Sequence, residues 1–205
     1  MKPLFRLLLF SPVLACLVFG MVAGVDVFRN HLAISALQSG SVNAVEEGER
    51  LRAKGKVAQA SKWIETANLI SAQSNANDDL AIDLLEAALA VDPAHPDAWA
   101  LLSFLNTRQA GRYTDASEQA LQTSIKLCGY CDKALLKWRF TYVLQHWDAV
   151  SEDTRMAAFS GADFLRWWHL EYEYLGRLRR QSLARNIPFD EYREKVGTHV
   201  RPNEI

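Results

Sequence analysis

The sequence predicts an all-α protein in which an amino-terminal transmembrane helix precedes a stack of α-helical hairpins closed by a capping helix. Three observations predict this fold class. Residues 7–25 are apolar, and no charged residue lies between Arg6 and Asp26. Beyond them, apolar residues recur at helical spacing with almost no strand alternation. The helical pattern also repeats along the chain, so that Ile64 aligns with Trp99.

The composition is that of a globular chain without a strong overall charge. The 205 residues include 23 Lys and Arg against 24 Asp and Glu, which gives a net charge of -1. This balance excludes binding of nucleic acid through bulk positive charge. A charged fraction of 23% with 10% aromatic residues also differs from the composition of disordered chains. Outside the apolar run, roughly 175 residues remain, enough for one domain.

The apolar run Leu7–Val25 has the length of a single membrane span. As a helix it would be about 29 Å long, close to the roughly 30 Å of a bilayer's hydrocarbon core. We interpret it as an uncleaved anchor. Two alternatives stay open. One is a secretory signal cleaved near Val22-Ala23-Gly24, and the other is lipid attachment at Cys16, which ends a motif that resembles the lipobox of bacterial lipoproteins.

Positive charges beside the run predict its orientation. Lys2 and Arg6 precede it, whereas only Arg29 closely follows it. Because positive residues favour the cytoplasmic side, the bulk of the chain should lie outside the cytoplasm. We therefore expect a single-pass protein of the bacterial inner membrane with its soluble domain in the periplasm.

The segment after the anchor predicts a polar linker helix over residues 38–57. Ser41 can cap a helix that runs to about Lys54, and its many charged side chains favour a solvated surface over a core. The remaining predicted divisions are an anchor with a juxtamembrane helix over 1–37, a helical-repeat domain over 58–185 and a carboxy-terminal tail over 186–205.

An internal repeat occupies the middle of the chain. A shift of about 35 residues superposes Ile64 on Trp99 and Ala81 on Ala116. The first copy carries small residues, a leucine and a closing proline at helical spacing: Ala81, Leu85, Ala88 and Pro93. The second copy continues with small and aromatic residues at related places: Trp99, Leu102, Gly111, Tyr113, Ala116 and Ala120. Small residues let two helices approach closely, and a proline ends a helix.

These residues resemble the tetratricopeptide repeat family from about Ala58 to Leu127. The sequence departs from that family in its period, which is one residue longer than the usual 34, and in Ser103 and Thr123, which replace a glycine and an alanine. The resemblance implies antiparallel helix pairs whose first helices line a concave groove that binds a protein partner. The exposed positions that correspond to this groove are Gln73, Thr107, Arg108, Arg139 and Tyr142.

From that correspondence we predict partner binding through Arg108, Arg139 and Tyr142. The two arginines could bind a carboxylate or a phosphate on the partner, because a guanidinium group matches both geometrically. The alternative for each arginine is an ordinary solvated face.

A third hairpin and a capping helix follow the repeat. Asp132 is predicted to cap a helix to about His146, and Ser151 to cap its partner. A long helix that closes the stack is predicted to begin at Ser160-Gly161-Ala162-Asp163 and to end near Ala184. Four tryptophans in this part should fill the junction core, with an exposed patch for a partner or a carbohydrate as the alternative: Trp138, Trp147, Trp167 and Trp168.

One sequence motif could support cysteine chemistry, and it is Cys128-Gly129-Tyr130-Cys131. Two thiols at this spacing can form a disulfide, supply half of a metal site or act as a redox pair. A predicted helix leads into the pair, whereas a thioredoxin-like centre needs a strand there. In an oxidising compartment the pair should form a disulfide in the turn between the second and third hairpins, with two unpaired thiols as an alternative.

The remaining residues suggest no catalytic constellation. The five histidines are scattered, and neither a glycine-rich phosphate loop nor a nucleophile elbow occurs. We therefore predict no catalytic residue, metal or cofactor, and a scaffold that binds another envelope protein. Two other function classes stay open. One is an accessory factor in exopolysaccharide or O-antigen biosynthesis or export, whose anchored helical plan this chain resembles, and the other is a thiol–disulfide oxidoreductase using Cys128 and Cys131.

Overall fold

The computed structural model describes residues 31–40, 42–55, 59–73 and 76–197. This part of the chain is helical and has no strand, which confirms the all-α prediction for it. Residues 31–38 are helical, and nine helices follow within the described ranges: α1 (Ala44–Lys54), α2 (Ala60–Ser71), α3 (Asp78–Val91), α4 (Pro96–Ala110), α5 (Asp115–Leu127), α6 (Lys133–Gln145), α7 (Glu152–Trp167), α8 (Tyr172–Leu183) and α9 (Phe189–Lys195).

Three consecutive helix pairs form the body of the molecule: α2 with α3, α4 with α5, and α6 with α7. Helix α3 also packs against α4, and this contact joins the first pair to the second. The predicted caps of the third pair are confirmed. The Asp132 carboxylate accepts hydrogen bonds from the Ala134 and Leu135 amides, and the Ser151 hydroxyl accepts one from Thr154. These caps satisfy amides that have no partner inside a helix.

Small residues bring the helices of the first two pairs close together. Ala67, Ala81 and Ala88 are fully buried. Ser103, which stands where a repeat of the tetratricopeptide type has glycine, is also buried, and its hydroxyl donates to the Ser117 carbonyl at 2.7 Å. The serine is therefore compatible with close packing because its polar atom has a partner.

Helix α1 is part of the core, and the prediction that it is a solvated linker was wrong. Asn43, not Ser41, caps it, through a hydrogen bond from the Val45 amide to the Asn43 side chain. Leu51 is buried in the same hydrophobic cluster as α2 and α3. A β-carbon added at Gly48 would lie only 2.9 Å from Ile70 Cδ1, so the missing side chain lets α1 approach its neighbours.

The carboxy-terminal part also differs from the prediction of one long helix from Ser160 to Ala184. Helix α7 runs through Gly161 without a break. The glycine lies at a close contact with α6, where an added β-carbon would be 3.1 Å from Leu136 Cδ2. The break comes at Leu170, whose backbone is left-handed with φ 55°. The Glu171 amide there bonds to the Leu165 carbonyl, a helix-ending arrangement that glycine usually supplies.

Two hydrophobic clusters support this body. The first extends from Leu37 to Ala120, and the second from Tyr113 to Tyr192, with Phe104 packed against both. The carboxy-terminal helices α8 and α9 close the second cluster, where Trp147 packs edge-on to Tyr192 at 4.7 Å between ring centres. Trp147 thus fills the junction core as predicted, while Trp168 is 60% exposed.

The predicted membrane span, residues 7–25, lies outside the described residues. Of the helices that the structure describes, none combines the length and apolar character that crossing a bilayer requires.

Candidate functional site

A groove lies across the first helices of the three pairs. Its volume is about 540 Å³, and α2, α4 and α6 each contribute to its walls. This groove, called here the α2–α4–α6 groove, is lined by a largely apolar set with three polar members: Ile64, Glu65, Asn68, Asp97, Ala100, Leu101, Phe104, Ala134, Leu135 and Trp138. One continuous surface therefore crosses all three pairs.

The aromatic walls of the groove are held in place from behind. The Trp138 ring stacks on the buried Tyr142 ring, with 4.7 Å between ring centres. The Arg108 guanidinium lies 5.0 Å from the centre of the Phe104 ring. Because neighbours already restrain these rings, a ligand that contacts them meets a surface that needs little further ordering.

The charge of the groove is negative. Glu65 on α2 and Asp97 on α4 lie among the lining residues, which include no Lys or Arg. The Gln38 side chain donates to one Glu65 oxygen at 2.9 Å, and this neutral contact leaves the charge of the carboxylate in place. The groove therefore combines an apolar surface with two acidic groups.

Arg108 does not point into this groove as a free cation, contrary to the predicted role in binding an acidic partner. Its guanidinium forms a bidentate ion pair with Asp78 at the start of α3, and it also donates to the Ser71 carbonyl at 2.9 Å. The Arg108 charge is thus paired within the chain, and its contacts connect α4 to the end of α2 and the beginning of α3.

Arg139 and Tyr142 are both only 3% exposed, so their predicted placement on an open binding face was wrong. Arg139 donates to the Ser124 side chain and carbonyl and to the Cys128 carbonyl, which ties α6 to the end of α5. Burial lowers the pKa of the Arg139 guanidinium to about 10, which still leaves it a cation at neutral pH.

Tyr142 belongs to a buried polar network between α4, α5 and α6. Its hydroxyl donates to the Ser103 carbonyl at 3.0 Å and lies 2.6 Å from the Thr107 hydroxyl. Thr107 in turn donates to the Ser117 hydroxyl. Tyr142 therefore contributes to the groove indirectly, as the support beneath Trp138, and Thr107 is likewise buried instead of lining a binding surface.

Cys128 and Cys131 form a disulfide in the turn between α5 and α6, with 5.4 Å between their α-carbons. Asp132, which caps α6, directly follows Cys131. A helix that ends at Leu127 leads into the pair, whereas a thioredoxin-like centre has a strand there. This context favours a structural cross-link over a redox centre.

The groove residues belong to a register of the repeat that an alignment of its first two copies does not show. A shift of 34 residues places Ala100 on Ala134, Leu101 on Leu135 and Phe104 on Trp138. All six of these residues line the groove. This second register, between pairs two and three, is the signal that could have identified them.

Within the described ranges, no group of three or more His, Cys, Asp or Glu side chains is placed to hold a metal ion. Comparisons of the chain with models of protein families, with curated proteins and with solved structures give no match. The α2–α4–α6 groove is therefore the feature from which a function can be inferred.

Proposed function

We propose that the protein is a membrane-anchored scaffold whose helical array, similar in plan to tetratricopeptide repeats, binds a segment of another protein in the α2–α4–α6 groove. The observation that carries the proposal is that the first helix of every pair contributes to one apolar surface. An apolar groove of about 540 Å³ falls within the usual size range of binding sites.

The groove's chemistry specifies the kind of segment that it binds. Leu101, Phe104 and Trp138 offer apolar contacts, so the segment should insert at least one large apolar side chain. Burying such a side chain contributes about 1.5–3 kcal/mol. Glu65 and Asp97 favour a lysine or arginine beside it, which is the opposite of the acidic partner that Arg108 and Arg139 suggested.

The proposed location is the bacterial inner membrane, with the helical array in the periplasm and the partner another envelope protein. Its support is the charge-free run Leu7–Val25 together with Lys2 and Arg6 before it. In this arrangement the anchor would raise the local concentration of the groove near membrane-associated partners.

A random peptide library displayed on phage tests the proposal against the full chain in detergent. We expect the selected peptides to share a large apolar residue next to lysine or arginine. Leu101→Lys should reduce their affinity at least tenfold, because a cation would enter the apolar groove and repel the peptide's basic residue. The doubly reversed variant Glu65→Lys with Asp97→Lys should weaken binding of the same peptides and reverse the salt dependence of binding, because salt would then screen a repulsion.

Glu86→Lys is the matched control, because Glu86 is an exposed acid on α3 and does not line the groove. It should bind the selected peptides like the unchanged protein. Equal binding by the Leu101→Lys protein and the control, with circular dichroism showing that both are folded, would exclude the groove as the binding site.

A further inference from the structure

We propose that a second cavity, formed by α7, α8 and α9 at the end of the stack, binds a small organic anion whose apolar part is the size of one ring. This cavity has a volume of about 160 Å³ and shares no lining residue with the α2–α4–α6 groove. It is therefore a distinct candidate site within the described part of the chain.

The interior of the cavity is apolar. Phe159 from α7 and Phe189 from α9 are almost fully buried, and Leu175 from α8 adds an aliphatic wall. The two phenyl rings stand edge to face with 5.1 Å between their centres, so packing restrains this part of the lining. An apolar ligand group would meet walls that are already in position.

The charged part of the lining is mainly cationic. Arg166, Arg179 and Arg193 come from three different helices, and Asp163 is the one carboxylate among the lining residues. Arg179 is also paired with Asp190 of α9, at 2.7 Å and 2.5 Å between the bonded atoms. These three guanidinium groups and two carboxylates together carry one net positive charge. Arginine suits carboxylates and phosphates because its planar group can donate two parallel hydrogen bonds.

The size of the cavity restricts the apolar part of the ligand. A cavity of about 150 Å³ in another protein accommodates benzene, and the volume here is about 160 Å³. One six-membered ring, or a short alkyl chain of similar volume, therefore fits between the phenylalanines. The attached carboxylate or phosphate would lie at Arg166 and Arg193.

The test uses ligand-observed ¹⁹F NMR on the full chain with 4-fluorobenzoate and 4-fluorophenyl phosphate as probes. Their relative affinities distinguish a carboxylate ligand from a phosphate ligand. We expect binding of at least one probe, and at least tenfold weaker binding of the neutral 4-fluorobenzyl alcohol. Arg166→Gln with Arg193→Gln should also weaken the bound anion at least tenfold, since both changes keep a polar side chain while removing its charge.

Arg112→Gln is the matched control, because Arg112 is an exposed arginine in the turn between α4 and α5 and does not line the cavity. The control should bind the probe unchanged. The proposal is overturned if neither anion binds, if the neutral probe binds as well as both anions, or if the doubly changed protein retains full affinity. Loss of probe binding in Leu101→Lys with no loss in the Arg166 and Arg193 variant would instead assign the probe to the groove.

Discussion

At the residue scale, Glu47 illustrates how a polar side chain becomes part of the core of this protein. Its carboxylate is bonded by Arg50 of the same helix, at 2.6 Å and 2.5 Å, and by Lys62 of α2 at 2.6 Å. The hydrogen bonds from Arg50 and then Lys62 lower the pKa of Glu47 to about 2, although burial opposes this change. The buried charge is therefore compensated on two sides.

Glu47→Gln should reduce the free energy of unfolding by about 2–3 kcal/mol at pH 7. Because the carboxyl has its ordinary pKa of 4.5 in the unfolded chain, this stabilisation is present above pH 4.5 and is lost as the pH falls towards 2. Urea unfolding at pH 7 and at pH 3 measures the difference between the two proteins, which should be smaller at pH 3.

Glu49→Gln is the control, since Glu49 is an exposed acid on the same helix. It should change the unfolding free energy by less than about 0.5 kcal/mol at either pH. A Glu47→Gln effect of the same size at both pH values would contradict the assignment of the stabilisation to the ionised carboxylate.

Arg108 and Arg139 are likewise polar residues that the fold uses for its own contacts. Both occur on first helices of a pair, where the resemblance to tetratricopeptide repeats predicted exposed binding residues, yet both serve internal contacts. Arg139 bonds carbonyls at the end of α5, and Arg108 bonds Asp78. A guanidinium can take either role, because its long stem reaches partners that are distant in the sequence.

At the scale of single helices, two glycines show how the same residue serves different purposes. Gly48 lies where α1 contacts α2 and α3, and an added β-carbon would be 2.9 Å from Ile70 and 3.1 Å from Leu80. Gly176 lies within α8, and the nearest atom to an added β-carbon is 3.8 Å away, at the end of Arg180. The first glycine is required by packing, whereas the second has room for a methyl group.

Alanine substitutions at these two positions should have opposite effects. Gly176→Ala should stabilise the protein by about 0.5–1 kcal/mol, because alanine is the better helix former. Gly48→Ala should destabilise it by about 1–2 kcal/mol, because the new methyl group forces buried side chains apart. The free energy of this overpacking exceeds what alanine gains as the better helix former. Thermal unfolding of both variants measures whether each change raises or lowers the stability. Stabilisation by Gly48→Ala would contradict the close contact between α1 and its neighbouring helices.

At the scale of the whole molecule, the groove and the core depend on how the second and third pairs meet. Phe104 packs against both hydrophobic clusters, and the Thr107–Tyr142 contact links α4 to α6. The Glu118 carboxylate accepts hydrogen bonds from Ser151 and Thr154, which joins α5 to α7. The disulfide lies in the turn between these same pairs.

Replacing Cys128 and Cys131 together by serine should lower the free energy of unfolding by about 2 kcal/mol, the loop-entropy value for a short closed loop. Peptide binding in the groove should be unchanged in the folded variant, because neither cysteine lines it. Thermal unfolding and peptide titration measure these two quantities. A dithiol turnover activity that is lost in the variant, with unchanged stability, would favour the oxidoreductase alternative.

Local patterns predicted much of the fold but only part of the candidate site. The caps at Asp132 and Ser151, and the end of α3 just before Pro93, were predictable because these signals act within a few residues of their own helix. The break at Leu170 was not, because leucine carries no signal for a left-handed backbone. At Gly161 the error was the reverse: a helix boundary was predicted, but the glycine lies inside α7 at a close contact. A glycine that interrupts a helix and one that permits close packing look the same in the sequence.

By itself, the sequence determined the helical class of the described chain and its hairpin plan, because helical periodicity, caps and small residues at repeat positions are local properties. Tertiary structure alone decided which polar residues are buried and which surface stays open. Arg139 and Tyr142 became supports, while Leu101, Phe104 and Trp138 came to line the groove. The physical reason is that burial depends on neighbours from other helices, and no local pattern specifies the distance or angle at which those helices pack.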